Sequence, residues 1–543
     1  MTQGENRSLA DGVELNAKAW DAKTEEVLTP ELVALVAKIQ RELEPRRQEL
    51  LAERQAYQAK IDNGQLPDFP NKETEAIQGD WKVNPIPEDL QTRRVEITGP
   101  VNSAKMVINM LSRNSDGARA DTAMLDFEDA MKPAWGNIMD GIINVRDAAK
   151  GTLSHSEKGK NYQLDPNDMA VIIVRPRGLH LDEANLTVDG KPVSGGLLDM
   201  ALTFYHAGRV LHEKGKTPNY YIPKVEHAPE SAWWDRLLSM LEEFAGYPNG
   251  TIKATFLIET LPAAYQMEEI LFHCKTHAVG LNVGRWDKIF SDIKVLRNHS
   301  DRVMADRATI TMQQPWMENY AKRCVHVCHS RGAFAMGGMA AFTPGKEPEV
   351  RQAQTDKLLA DKTWEADHGH DGCWVSHPYF IGPAMEAFTK KNQLSVVLSE
   401  AERYPDLLPR SGGDKTMAGL RTNIRVGIGY LNGWNQDIGC VAWDNLMEDL
   451  ATLEISRAQT WQWLKYGVEL KEGTAVTPDL VKKVFAEELD RIVEEVGQNM
   501  AGQPKETIQI VEEGFRKAAQ DAESIFLKEE LQDFLTLTSE RVA

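Results

Sequence analysis

Carboxylates recur along this chain at the ends of apolar runs, where a folded protein can put them to chemical use. In GLNVGRWDKIF, residues 280–290, an apolar, glycine-containing run stops at Arg285-Trp286-Asp287. KATFLI (253–258) is followed by Glu259, and TAMLDF (122–127) by Glu128 and Asp129. AVIIVR (170–175) ends in Arg175, and YYIPKV (220–225) carries Lys224 and precedes Glu226. VHVCHS (325–330) and GCWVSH (372–377) bring His329 and His377. Several acids with an Arg and a Lys at one mouth suit a hard divalent cation and an anionic substrate, because Mg²⁺ is held by one or two carboxylates plus waters and substrate oxygens. The same acids would also serve as rim salt bridges, and residue types alone leave both readings open.

A second candidate lies far along the chain. WDNLMEDLATLEISRAQTWQWL (443–464) reads as a helix capped by Asp444, with Leu446, Leu450 and Leu453 as its apolar stripe. Asp449 falls within that stripe. A carboxylate on a buried face is paired, or desolvated with a raised pKa, and a raised pKa suits a general base for a weak carbon acid. The competing reading is an acid favoured by the dipole near a helix N-terminus.

These residues need elements that bring them together. The eight apolar runs RVEITG (94–99), TAMLDF, AVIIVR, YYIPKV, KATFLI, AVGLNV (278–283), VHVCHS and GCWVSH recur with room for a helix after each. That pattern fits an α/β fold of the (β/α)₈ TIM-barrel type, whose chemistry gathers at the C-terminal strand ends. Non-alternating apolar strands fit a parallel sheet covered on both faces. Asp189-Gly190 marks a hairpin in an excursion on the rim. Residues 1–90 read as helical, with Thr29-Pro30-Glu31 as a helix start. Beyond 395 the chain reads as helical again, over 478–496 and 505–537. The expected domains are 1–92, 93–395 and 396–543.

Bulk properties narrow the class. The chain has 543 residues, 42% hydrophobic and 26% charged, with a net charge of −19. Such an acidic balance argues against a nucleic-acid partner. Five cysteines in so long a chain are no disulfide framework, so a reducing, cytoplasmic setting is expected. The start lacks an apolar signal segment, the end lacks a peroxisomal tripeptide, and no stretch reaches the roughly 18 apolar residues of a membrane span. Cys324, His326, Cys328 and His329 resemble a zinc cluster without a second ligand pair, so buried core thiols are the expectation. GGMAAFTPGKE (337–347) lacks the Ser/Thr of a P-loop, and neither GxGxxG nor GxSxG occurs in a strand-end context.

Taken together, KTHAVGLNVGRWDKIF (275–290), LDFEDAMKPAWGN (125–137), RPRGLHLDE (175–183), FLIETLPAA (256–264) and LMEDLATLEISR (446–457) resemble the malate synthase family, in its shorter bacterial-type form. The resemblance implies a TIM barrel between an N-terminal helical clasp and a C-terminal helical plug. It also implies Mg²⁺-dependent condensation of acetyl-CoA with glyoxylate, followed by hydrolysis to malate and CoA. By motif, Glu259 and Asp287 are expected to hold Mg²⁺, Arg175 to meet the glyoxylate oxygens, and Asp449 to be the base. The segment Gly284, Arg285, Trp286 and Asp287 is expected at the substrate carboxylate, and Pro378 at CoA. A monomer is expected. Thr276, Lys288 and Tyr379 depart from the family pattern, and Lys288 adds a charge beside Asp287. The alternatives are a citrate-lyase-like Mg²⁺-dependent lyase, which is shorter and lacks the plug, and an inactive barrel scaffold.

Overall fold

The computed structural model describes residues 6–410 and 412–538. Eight parallel strands close a barrel in sequence order: β1 (Val95–Pro100), β2 (Thr122–Asp126), β3 (Val171–Arg175), β4 (Asn219–Ile222), β5 (Lys253–Ile258), β6 (Ala278–Val283), β7 (Phe334–Ala340) and β8 (Gly372–Val375). The first pairs with the last through Cys373 and Val95. All but β4, β7 and β8 are five or six residues long, and nearly every residue in them is buried, as a sheet covered on both faces requires. Seven of the eight expected runs are strands.

VHVCHS is not one of them. It is the end of the helix Pro315–Ser330 (α4), and β7 is the glycine-rich FAMGGMA that follows it. The valines at every second position imitate a strand. The longer spacing of Trp316, Met317, Tyr320, Ala321, Cys324 and Cys328, all buried, belongs to a helix that starts at Pro315. The glycines of β7 have a packing cause: a Cβ at Gly337 would stand 2.3 Å from the Glu365 carboxylate, and Lys362 Nζ donates to Gly338 O at 2.8 Å. As expected, Cys324 and Cys328 are buried thiols, 4.0 Å apart on one helix face.

The barrel interior is packed. Met124, Ile173, Tyr221, Leu257 and Trp374 form a small apolar cluster. Near the strand starts, Arg93 donates to Glu96 (2.7 Å), Thr255 (2.8 Å) and Tyr221 (2.9 Å), and Trp374 Nε1 donates to Glu96 at 2.9 Å. Buried polar groups satisfied this way fix the register of four strands.

The N-terminal part carries helix α1 (Pro30–Asp62), capped by Thr29 with Pro30 in the first turn. It also holds a strand pair, Asn6–Ala10 and Val13–Asn16, where only helix was expected. That pair joins the Asp182–Val188/Lys191–Ser194 hairpin in a four-stranded antiparallel sheet. Helix α1, about 50 Å long at 1.5 Å per residue, clasps the barrel along one side. Arg47 donates to Leu179 O at 2.6 Å, Arg54 to Lys224 O at 2.9 Å, and Gln58 to Val295 O at 3.0 Å.

Helix α2 (Ala228–Ala245) follows β4; α3 (Arg285–Val295), which bears on the site, follows β6; α4 (Pro315–Ser330) leads into β7. Beyond the barrel, α5 (Met417–Trp434), α6 (Leu450–Lys465), α7 (Pro478–Asn499) and α8 (Lys505–Phe526) enclose a second core containing Leu420, Ile424, Phe485, Phe515 and Phe526. Helix α8 stops at Phe526, short of the expected 537. The chain then returns to the barrel, where Leu531 and Phe534 join its core. Among the described residues no helix is long and apolar enough to cross a membrane.

Candidate active site

The mouth of the barrel is built from strand ends. Asp126, the last residue of β2, is fully buried and receives the Arg175 guanidinium in a two-armed pair, with Nε at 2.7 Å. The same carboxylate accepts from Glu128 N (2.9 Å) and Ala130 N (2.8 Å), which folds the next turn back and aims Glu128 and Asp129 inward. Lys224, just past β4, reaches across the opening. Its Nζ lies 2.7 Å from Asp129, 2.9 Å from Glu128, 3.1 Å from Asp287 and 3.7 Å from Glu259. Glu259 accepts from Lys224 N at 2.9 Å. Four carboxylates from three different strand ends therefore converge on one point.

Asp449 reaches this mouth from the plug, and its local structure differs from the expected helix. Residues Val441–Trp443 and Leu446–Glu448 form a hairpin. Asp444 and Asn445 take left-handed φ of 48° and 63° at its turn, as a two-residue type I′ turn demands. Asp444 is thus a turn residue paired with Arg425 at 2.7 Å, and Leu446 is in a strand. Helix α6 begins at Leu450 with Asp449 as its N-cap, accepting from Thr452 N at 3.4 Å. The helix N-terminus of the competing reading is real, and it positions the carboxylate in the mouth. Met447 N donates to Ala341 O (2.8 Å) and Leu450 N to Asp129 O (3.2 Å), so backbone bonds dock hairpin and helix on the loops after β7 and β2. Arg307 adds a tie, donating to Thr452 O (3.2 Å) and Ser456 Oγ (2.9 Å).

Electrostatics follow from this crowding. Asp449 keeps a little surface in the opening yet is otherwise surrounded by protein. Burial, then Asp129 and Asp287, push its carboxyl well above the usual range, against the pull of Arg175 and Lys224. Asp287 and Glu128 are pushed well up and Glu259 up, burial leading in each case. Burial also opposes the charge on Lys224, yet the acids around it, Asp129 foremost, hold its pKa well above normal.

The donor set fits a hard divalent cation. Asp126, Glu128, Asp129, Glu259, Asp287 and Asp449 are six carboxyls facing two cations, Arg175 and Lys224. Glu128 Oε2, Asp129 Oδ1 and Asp287 Oδ1 are buried without a hydrogen-bond donor; Glu128 Oε2 has an ionic approach to Arg175 at 3.6 Å and Asp287 Oδ1 one to Lys224 at 3.1 Å. Oxygen-only ligands with excess negative charge favour Mg²⁺ over softer metals. Away from the mouth, Asp235, Cys274 and His277 also cluster, but His277 is engaged there by Asp235 (2.6 Å) and Glu242 (3.1 Å).

The remaining expected residues divide. Gly284 caps α3 beside Glu259, and its N donates to Tyr320 OH at 3.1 Å. Asp287 turns into the acid cage from the first turn of α3. Arg285 and Trp286 do not: the guanidinium stacks on the indole at 4.3 Å with Arg307 at 5.5 Å, and its acidic neighbours are Asp361 and Glu365. Lys288 also turns away from Asp287, into a fully buried pair with Asp292, which explains its tolerance beside the cage. Glu226 faces the clasp, pairing with Lys294 (3.0 Å) and Arg54 (3.4 Å). His329 is outside the mouth, in α4, bonded to Asp371 at 2.9 Å. His377 and Pro378 line a cavity of about 440 Å³ with Ile97, Thr98, Tyr379 and Met447. Asp126 and Arg307 escaped sequence reading. An acid inside the apolar run TAMLD was the available sign of a buried partner.

Comparison with known proteins agrees with this architecture. The chain matches family models described as malate synthase TIM barrel domain (residues 171–404), malate synthase C-terminal (414–541) and malate synthase N-terminal domain (14–75). It is 44% identical to malate synthase A of Escherichia coli, over 97% of each chain. It is 46% identical to a malate synthase of Myxococcus xanthus, over 89% of each. It is 40% identical to the glyoxysomal malate synthase of Ricinus communis, over 98% of this chain and 94% of that one.

Proposed function

The chain belongs to the malate synthase family and makes malate and CoA from acetyl-CoA and glyoxylate; from that premise we propose how the barrel mouth divides the work. The observation that carries the reading is the convergence of Asp449, from the plug, with the acid cage and Arg175, from the barrel. Asp449 takes a proton from the acetyl methyl. A carboxyl pushed up by burial and like charges is a stronger base than an exposed one, as a weak thioester carbon acid requires. The enolate oxygen is met by Arg175, whose guanidinium is kept charged and oriented by Asp126. The enolate carbon attacks the aldehyde of glyoxylate, and water cleaves the resulting malyl thioester.

Glu259 and Asp287 are the proposed Mg²⁺ ligands, with Glu128 and Asp129 behind them. When bound, Mg²⁺ supplies Lewis-acid polarisation of the aldehyde and counter-charge for the substrate carboxylate. Backbone amides in the first turn of α3, from Arg285 to Asp287, present donors and a positive dipole end to that carboxylate, while Gly284 N is held by Tyr320 OH. The Arg285 and Trp286 side chains act as packing beside it. The cavity beside Pro378 and Met447 has the size and the mixed lining, apolar at Ile97, Met110 and Met447 and polar at Asn109 and Arg113, to take the pantetheine arm of CoA.

All these groups come from one chain, so we propose the monomer as the catalytic unit. Five unpaired cysteines support a reducing compartment, and we assign the reaction to the cytoplasm. The lyase alternative gives no account of the C-terminal domain that carries Asp449. Mixing the protein with acetyl-CoA, glyoxylate and MgCl₂ and following free thiol tests the scheme. Thiol is expected to appear, to stop with EDTA, and to fall steeply for Glu259→Ala together with Mg²⁺ affinity. Unchanged Mg²⁺ titration of that variant refutes the ligand assignment.

A further inference from the structure

Lys224 stands among four carboxylates, and it gets there by an unusual backbone. Its φ is +53°, in the left-handed region that side-chain-bearing residues seldom adopt. The twist is held from both sides: Lys224 N donates to Glu259, and Lys224 O accepts from Arg54 of the clasp. The side chain is thereby carried from the end of β4 across the mouth to Asp129, at the end of β2. Its ammonium stands within 3.7 Å of both proposed metal ligands and closer still to Glu128 and Asp129.

Lys224 changes the charge balance of the mouth. Arg175 is neutralised by Asp126. With Glu128, Asp129, Glu259 and Asp287 all ionised, a divalent cation alone would leave two negative charges facing an anionic substrate. With Lys224 the excess falls to one, before Asp449 is considered. A fixed positive charge this near a metal also repels it, and at such short range inside a protein the interaction is strong.

We propose that Lys224 is a positioning residue that trades divalent-cation affinity for acceptance of an anionic 2-oxo acid. This rests on the metal reading above. The two consequences have opposite sign: removing the charge tightens Mg²⁺ and weakens glyoxylate. A side chain that only holds the cage together would, when lost, weaken both.

The test is calorimetric titration of MgCl₂ into the metal-free full-length protein, in the absence of substrates, together with the KM for glyoxylate. For Lys224→Met the expected result is an Mg²⁺ Kd at least tenfold lower and a glyoxylate KM at least tenfold higher. Lys224→Arg, which keeps the charge, is expected to restore both towards wild type. Should Lys224→Met fail to fold, Lys224→Gln carries the same readouts. Loss of affinity for Mg²⁺ and glyoxylate alike, or no change in either, overturns the proposal while leaving the metal site standing. A wild-type protein that binds no Mg²⁺ overturns the metal reading and this inference with it.

Discussion

Asp449→Asn separates chemistry from architecture, because the structure assigns opposite signs to its effects on rate and on stability. The substitution keeps an oxygen at the cap position facing Thr452 N, where the existing bond is long at 3.4 Å, and leaves the bond from Thr452 Oγ1 to the backbone carbonyl at 2.7 Å untouched. The cap loss is therefore small, under about 1 kcal/mol. Against it stands the relief of a buried carboxylate pushed up by burial, Asp129 and Asp287. Each unit by which a site raises a carboxyl pKa corresponds to about 1.4 kcal/mol spent at neutral pH on keeping it ionised. The variant should be as stable as the parent or more so. Its kcat should fall roughly 10²- to 10⁴-fold, the usual contribution of a positioned base, or about 3–5 kcal/mol of barrier. Thermal unfolding and single-turnover thiol release on the same preparation read both quantities. A variant within tenfold of the parent rate refutes the base assignment. A variant that loses rate in proportion to a lowered Tm shows Asp449 to be structural.

Other outcomes follow from the same geometry. Lys288→Met leaves Asp292 buried without its partner and should cost about 3–5 kcal/mol in urea unfolding, most of it recovered in Lys288→Met/Asp292→Leu. His370 is fully buried, and burial, with His329 nearby, lowers its pKa to about 3. The folded form stays neutral while the unfolded chain takes up a proton below about 6.5. Its contribution is thus complete above that pH and is lost as pH falls from 6.5 towards 3; His370→Leu should flatten this part of the stability–pH curve. As the proposed base, Asp449 acts in its ionised form, so the acid limb of kcat/KM should lie above the ordinary carboxylate range and vanish in no variant that keeps Asp449. Met447→Trp, which fills the cavity beside Pro378, should raise the KM for acetyl-CoA several-fold and leave that for glyoxylate unchanged.

Much of the barrel was legible because its strands are buried on both faces and so appear as uninterrupted apolar runs. Where a strand must admit a neighbour closely, as β7 does the Lys362–Glu365 pair, glycine replaces the apolar residues and the signal disappears. The alternating valines of α4 supplied a false one. Strand-end chemistry was legible for a related reason: a charged residue closing an apolar run has few places to go except the mouth. Glu259, Asp287 and Arg175 reach the mouth from such positions. His329, Glu226 and Arg285 were not distinguishable from them, since a one-residue shift along a helix or loop turns a side chain from the mouth to the wall.

By itself the chain determined most of its strand runs, the Thr29 cap and its family motifs, all of which depend on neighbours close in sequence. Tertiary structure alone decided that Asp449 is a cap held in the mouth and no longer a member of a helix stripe, that Asp126 belongs to Arg175, and that Lys288 serves Asp292 while Lys224 serves four acids. Each of those pairings joins residues from different turns or strands, and a carboxylate's chemistry depends on the charges within a few ångströms of it, whatever their distance along the chain.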